Sequence, residues 1–165
     1  MNIIKANIVD LWRSGNIVCI TTNGFIKKSG EGVLGRGNAL AMAQIIPELP
    51  SALGRHIISH GNIVGLIYDR IIAFPVKPKT GKLKDVLNNT IASRYKSTDS
   101  IPGFWCKADL ELIERSMNQL NLLIEIFNLE EVYLPIPGIH NGGLKFKDVE
   151  KILEGGCNKI VFVSL

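Results

Sequence analysis

Short runs of β-branched and aliphatic residues alternate along the chain with stretches in which apolar residues recur every three or four positions. The first pattern is typical of buried strands and the second of amphipathic helices. The clearest helical pattern spans 108–127, and its predicted buried face comprises Leu110, Ile113, Met117, Leu120, Ile124 and Phe127. Strands that alternate with helices predict an α/β layer fold.

The predicted elements follow this alternation from end to end. After an initial strand, the predicted strands cover 17–22, 63–67, 70–75, 131–136 and 159–164. The predicted helices cover 38–46, 51–60, 108–127 and 146–154. Asn38 is the expected N-cap of the first of these helices, because a side-chain oxygen at that position can accept from free backbone N–H groups.

The stretch 77–106 shows neither period, and prolines, glycines, serines and threonines interrupt it. Irregular segments of this length are unusual inside a compact domain and often carry function. We expect a surface excursion with a short helix near 84–88, able to close as a lid. The remainder of 1–165 is predicted to form a single domain around it.

Composition excludes several classes of protein. Hydrophobic residues make up 46% of the 165 residues and charged residues 21%, as in ordinary globular domains. No apolar run reaches the roughly 18 residues that a membrane span needs, and the amino terminus lacks a signal-peptide pattern. The net charge of +4 suits an anionic ligand, but the basic residues form no stripe of the kind that binds nucleic acid.

Cysteine and histidine usage argues against a metal or a disulfide framework. Cys19, Cys106 and Cys157 are odd in number and too far apart for a CxxC pair. His56 and His60 lie one helical turn apart, but no carboxylate or cysteine lies near them in the sequence, so a surface helix is the favoured interpretation. We therefore expect no metal, and a reducing cytoplasm is the simplest compartment. We also expect a monomer without a cofactor.

Two glycine-rich segments carry the functional signal. The first runs through Thr22, Asn23 and Gly24 and then 30–38, and the second spans 135–144. Each leaves the carboxyl end of a predicted strand and enters a helix, which is where open α/β sheets bind ligands. Glycines allow close approach of a phosphate, and a helix N-terminus offers N–H donors to it. Facing each other across one crevice, the two loops could cradle a diphosphate.

Four further side chains are candidates for a functional role. Arg36 can fork onto a phosphate or remain a solvated loop arginine. His140 can act as an acid or base or contact a ribose hydroxyl, or it can be an exposed loop histidine. Trp12 and Trp105 can stack on a base, although a core position is favoured for Trp12.

These segments resemble those of the macro domain family, the ADP-ribose-binding fold. The matching stretches are 20–24 (ITTNG), 32–41 (GVLGRGNALA), 134–144 (LPIPGIHNGGL) and the terminal strand. The chain is most similar to the ADP-ribose-1''-phosphate phosphatases and their phage-encoded relatives, and only 77–106 lies outside the match. The resemblance implies a three-layer α/β/α fold with a mixed central sheet.

The resemblance also implies roles by position. Asn23 matches the asparagine that holds the distal ribose hydroxyls, and Asn7 falls where many macro domains have an aspartate that bonds the adenine amino group. Catalysis is assigned to Asn23 and His140. The implied ligand-binding residues are Asn7, Ile8, Thr22, Gly24, Gly32, Val33, Leu34, Gly35, Arg36, Gly37, Asn38, Pro137, Gly138, Ile139, Asn141, Gly142, Gly143 and Leu144.

Hydrolysis at C1'' of the distal ribose is the expected activity, on ADP-ribose-1''-phosphate or on ADP-ribosylated macromolecules. The second loop has no aspartate and the first helix no lysine, which disfavours a Lys–Asp covalent mechanism. In the remaining route, Asn23 and bound phosphate position a water and His140 acts as base.

Two alternatives stay open. The same pocket could bind ADP-ribose without turnover, as a recognition module. A Rossmann-type dinucleotide enzyme would require GxGxxG directly after the first strand, whereas this loop begins seven residues after Asn23 and an extra strand precedes it.

Overall fold

A computed structural model of the chain describes residues 1–164. The strands are Asn2–Lys5 (β1), Ile17–Asn23 (β2), Gly65–Tyr68 (β3), Ile71–Lys77 (β4), Thr80–Gly81 (β5), Ile101–Pro102 (β6), Val132–Pro135 (β7) and Ile160–Ser164 (β8). The helices are Ile8–Arg13 (α1), Gly37–Ile45 (α2), Leu49–His60 (α3), Asn89–Ala92 (α4), Leu110–Ile126 (α5) and Phe146–Glu154 (α6).

Six of the strands form one mixed sheet in the order β1-β8-β7-β2-β4-β3. All neighbouring pairs are parallel except β3 with β4, which is antiparallel at the edge. One buried apolar cluster joins a face of the sheet to α5 and α6, and a second joins the other face to α1, α2 and α3. The expected three-layer α/β/α fold with a mixed sheet is confirmed.

Helix α5 buries the predicted apolar face except for one residue at each end. Asp109 caps it, since its side chain accepts from the backbone N–H groups of Glu111 and Leu112. The interior residues of the predicted face are buried, but Leu110 is 40% exposed and Phe127 is 68% exposed. Phe127 lies one residue beyond the helix, so the predicted face was too long.

Two local predictions were wrong, and one helix was not predicted. Arg36 occupies the N-cap position of α2, and Asn38 lies inside the helix with its side chain turned towards β2. The sequence pattern did not indicate α1, which Asn7 caps through its side-chain oxygen. In place of a helix near 84–88, a single 3-10 turn at Leu83–Asp85 precedes α4.

The excursion 77–106 is attached to the body of the fold. Its two ends pair as β5 and β6, with Thr80 opposite Pro102. Gly103 sits directly against the Pro78 carbonyl, where a Cβ atom would overlap the oxygen, and its own N–H donates to the Lys79 carbonyl over 2.8 Å. Within residues 1–164, no helix is both long and apolar enough to cross a membrane.

We expect Gly54→Ala to destabilise the protein by about 1–3 kcal/mol, the usual cost of overpacking a closed site. Gly54 lies in α3 against the first glycine loop, and a Cβ there would overlap the Gly30 carbonyl oxygen. Urea unfolding measures the change, with Ser51→Ala in the same helix as the control. Equal stability of the two variants would contradict the close approach.

Candidate functional site

A cavity of about 300 Å³ opens at the carboxyl ends of β2, β4, β7 and β8. Both glycine loops line it, as the sequence predicted. The predicted site residues that line it are Thr22, Asn23, Val33, Leu34, Gly35, Arg36, Gly37, Asn38, Gly138, Ile139, His140, Asn141 and Gly142. The two loops approach each other closely, because a Cβ on Gly37 would lie 3.2 Å from the Asn141 side-chain nitrogen.

Asn23 shapes the first loop through both polar atoms of its side chain. Its Nδ2 donates to the Val33 carbonyl over 3.1 Å, and its Oδ1 accepts from the Phe25 backbone N–H over 3.0 Å. The amide retains a second hydrogen and a second lone pair. Asn23 is therefore an organiser of the loop as well as part of the cavity wall.

Asn38 fixes the start of α2 to the end of β2. Its Oδ1 accepts from the Thr21 backbone N–H and its Nδ2 donates to the Thr21 hydroxyl, each over 3.0 Å. The two bonds hold the free N–H groups at the helix start beside the cavity, where they suit an anion.

The second loop is a tight turn with two glycines in the left-handed region, Gly138 at φ 81° and Gly143 at φ 75°. The Leu144 N–H donates to the Gly138 carbonyl over 3.0 Å and closes the turn. His140 also has positive φ, at 56°, and its side chain is exposed at the cavity. A non-glycine residue adopts this region uncommonly.

The other predicted site residues lie outside the cavity lining: Asn7, Ile8, Gly24, Gly32, Pro137, Gly143 and Leu144. Asn7 is exposed and caps α1, while Ile8 is 3% exposed in the apolar core. Gly32 packs against the Leu53 side chain, which a Cβ would approach to 2.7 Å. Gly32 thus allows the first loop to pack closely on α3.

Lys77, the last residue of β4, joins two walls of the cavity. Its Nζ donates to the Phe104 carbonyl over 3.3 Å and to the Asn141 carbonyl over 3.2 Å. Burial lowers the pKa of Lys77, and the positive charge of Arg36 lowers it further. The sequence motifs did not indicate Lys77 as a site residue, since the local pattern shows only that it follows the predicted strand 70–75.

The excursion contributes an aromatic wall made of Phe104 and Trp105. The Phe104 ring meets Phe25 edge to face, with centroids 5.2 Å apart. The Arg36 guanidinium lies 5.9 Å from the Trp105 ring centroid, within the range of a cation–π contact. The end of the excursion thus forms part of the candidate site.

The charge of the cavity lining is positive. The lining includes the cations Arg36 and Lys77, and none of its described residues is an aspartate or glutamate. Within residues 1–164, no group of three or more histidine, cysteine or acidic side chains is placed to hold a metal ion. Cys19, Cys106 and Cys157 are free. The arrangement fits an anion that backbone N–H groups and cations bind together.

Neither a protein-family model nor a curated protein matches the sequence. Among solved structures, the macrodomain of Mycobacterium tuberculosis DarG superposes with a TM-score of 0.66 at 20% identity, covering 99% of this chain and 97% of its own. The macrodomain of Thermus aquaticus DarG gives a TM-score of 0.61 at 17% identity, with coverages of 99% and 97%. This chain has the macrodomain fold.

A third structure, Thermosipho africanus DarTG in complex with ADP-ribose, matches this macrodomain fold with a TM-score of 0.54 at 11% identity. The match covers 90% of this chain and 38% of the Thermosipho chain. The expected resemblance to macro domains is confirmed at the level of the fold.

We expect Asn38→Ala to cost about 1–3 kcal/mol, because it leaves the Thr21 backbone N–H and hydroxyl without their partner in the macrodomain's first loop. Urea unfolding measures the loss. The control is Gln44→Ala, an exposed position in the same helix. A difference between the two variants smaller than about 0.5 kcal/mol would show that the Asn38 bonds do not hold α2 to β2.

Proposed function

We propose that this protein binds ADP-ribose in the cavity, with the diphosphate between the two glycine loops, and hydrolyses the bond at C1'' of the distal ribose. Its substrate is ADP-ribose-1''-phosphate or an ADP-ribosylated macromolecule. The observation that carries the proposal is that both loops line one cavity together with Arg36 and Lys77, without a carboxylate among the described lining residues.

The diphosphate fits the chemistry of this cavity. The N-terminus of α2 and the turns of both loops present backbone N–H groups, and Arg36 and Lys77 supply positive charge. The macrodomain fold supports the proposal, as does the similarity to the Thermosipho structure, which is a complex with ADP-ribose. Asn23 in the cavity wall then contacts the distal ribose with the amide hydrogen and lone pair that the loop leaves free.

Asn7 is a poor partner for adenine, although the resemblance to macro domains places it there. The side-chain oxygen of Asn7 accepts from the backbone N–H groups of Val9 and Asp10 over 2.9 and 3.2 Å, so it serves α1. An oxygen that already accepts two bonds is a weak partner for an adenine amino group. We therefore propose that affinity comes mainly from the diphosphate and the distal ribose.

For hydrolysis, His140 is the proposed general base. Its exposed imidazole lies on the cavity beside Asn141, whose carbonyl accepts from Lys77. The imidazole takes a proton from a water that Asn23 helps to position, and the water oxygen bonds to C1'' as the bond from C1'' to the leaving group breaks. The leaving group departs with the bonding electron pair, and when it is phosphate the cations stabilise its negative charge. The products are ADP-ribose and the released group.

The binding proposal is tested by calorimetric titration of ADP-ribose, with ATP and NAD as controls. Gly35→Glu should weaken ADP-ribose binding by about 100-fold or more, because a carboxylate then faces the diphosphate. The fold should survive, since a Cβ on Gly35 meets only a Val33 methyl at 3.8 Å. Gly35→Ala is the matched control, and equal binding by the two variants would remove this loop from the site.

The catalytic proposal is tested by phosphate release from ADP-ribose-1''-phosphate. His140→Ala should lower kcat by about 100-fold, as expected for loss of a general base, and leave the Kd for ADP-ribose within about twofold. His60→Ala, an exposed histidine on α3, is the control. Wild-type turnover in His140→Ala would make His140 a bystander, and binding without any turnover by the native protein would indicate a recognition module.

A further inference from the structure

The pairing of β2 with β4 slips by one residue where the two strands reach the cavity. Thr22 lies opposite Pro75, yet the next residue of β2, Asn23, lies opposite Lys77. Without this slip, Val76 would occupy the place that Lys77 takes. Irregular pairing of this kind is common beside functional sites, because it changes which side chain reaches a given place.

A slip also leaves backbone groups without their ladder partners, and those groups need others. Two carbonyls at the slip are bonded from outside the sheet. The Val76 carbonyl accepts from the Asp109 backbone N–H over 2.9 Å. The Lys77 carbonyl accepts from the side-chain Nδ2 of Asn62 over 3.0 Å.

Asn62 lies in the turn between α3 and β3, and the two residues that follow it anchor this turn. The next residue, Ile63, offers its carbonyl to the His56 ring nitrogen over 2.7 Å, and the Val64 N–H donates to Gln119 on α5 over 3.0 Å. Gly24 closes the other side, since a Cβ there would lie 2.8 Å from the Asn62 amide. Asn62 lies outside the cavity lining, so it can affect a ligand only through another residue.

The Asn62 amide keeps this bond although its own Oδ1 is buried without a hydrogen-bond partner. A buried acceptor left unpaired is normally disfavoured. Turning the amide over would place Oδ1 against the Lys77 carbonyl oxygen and break the bond. The hydrogen bond to the Lys77 carbonyl thus determines the orientation of the Asn62 amide.

From these contacts we infer that Asn62 is a positioning residue for ligand binding: it fixes the Lys77 backbone at the slip, so that the Lys77 ammonium reaches across the cavity between Phe104 and Asn141. The functional part of this inference rests on the proposed function, in which Lys77 is one of the cations that meet the ADP-ribose diphosphate. Arg36 and Cys106 are the charged or titratable groups that act on Lys77 in this position.

The test compares Asn62→Leu, which keeps the branched shape of the side chain but has no donor, with Ile63→Ala, an exposed change in the same turn. Competitive acetylation at a series of pH values, analysed by peptide mass spectrometry, measures the titration midpoint of Lys77 in the ligand-free protein, which is the pH at which half of its ammonium groups have lost a proton. We expect a midpoint below that of exposed lysines in the native protein and in Ile63→Ala. In Asn62→Leu it should rise towards about 10.4 as the ammonium leaves its buried place.

Calorimetry then measures ADP-ribose binding by the same proteins. The Kd should rise about tenfold in Asn62→Leu, the loss of one charge-assisted hydrogen bond, and less than twofold in Ile63→Ala. An unchanged midpoint or an unchanged Kd in a folded Asn62→Leu protein would overturn the inference. Asn62→Ala, which relieves any crowding at Gly24, replaces Asn62→Leu if the latter fails to fold. A native protein that binds no ADP-ribose would refute the proposed function, while the midpoint would still test the positioning.

Discussion

The parallel pairing of β2 with β4 on one side and β7 on the other determines where every part of the candidate site lies. Parallel strands end at the same edge of a sheet, and the chain must leave each end through a loop. Here the three loops that leave β2, β4 and β7 are the first glycine loop, the excursion and the second glycine loop. The cavity is the space that they enclose, so its shape depends on strand register.

Asparagine side chains around these loops supply hydrogen bonds that a regular sheet would form between its strands. Asn23, Asn38 and Asn62 each bond to backbone at a strand end or in the first loop. Carboxamides are suited to this, because each offers donors and acceptors without a charge. Carboxylates in the same places would reduce the positive charge that the cavity presents to an anion. The choice of asparagine thus serves the scaffold and the electrostatics together.

The α/β class could be predicted from the sequence because the strands and long helices have strong local patterns, whereas the three-layer arrangement with a mixed sheet followed from the resemblance to macro domains. The bounds predicted for α6 agree with the structure, and α5 differs only at its ends. Helix α1 was missed because six residues are too few to show a helical period. Lys77 was missed as a site residue because its position depends on a register slip and on the distant Asn62, and a non-local pairing leaves no mark in the local pattern.

The aromatic wall and the cation that face the glycine loops come from the excursion and β4, so the cavity draws on residues spread from position 21 to position 164. A site assembled from such distant segments exists only after the whole sheet has formed. Any ligand that occupies it is therefore bound by the folded chain alone and shifts the folding equilibrium as a whole. For this protein, ligand binding and folding are therefore linked, and the melting temperature rises with the concentration of any ligand that binds in the cavity.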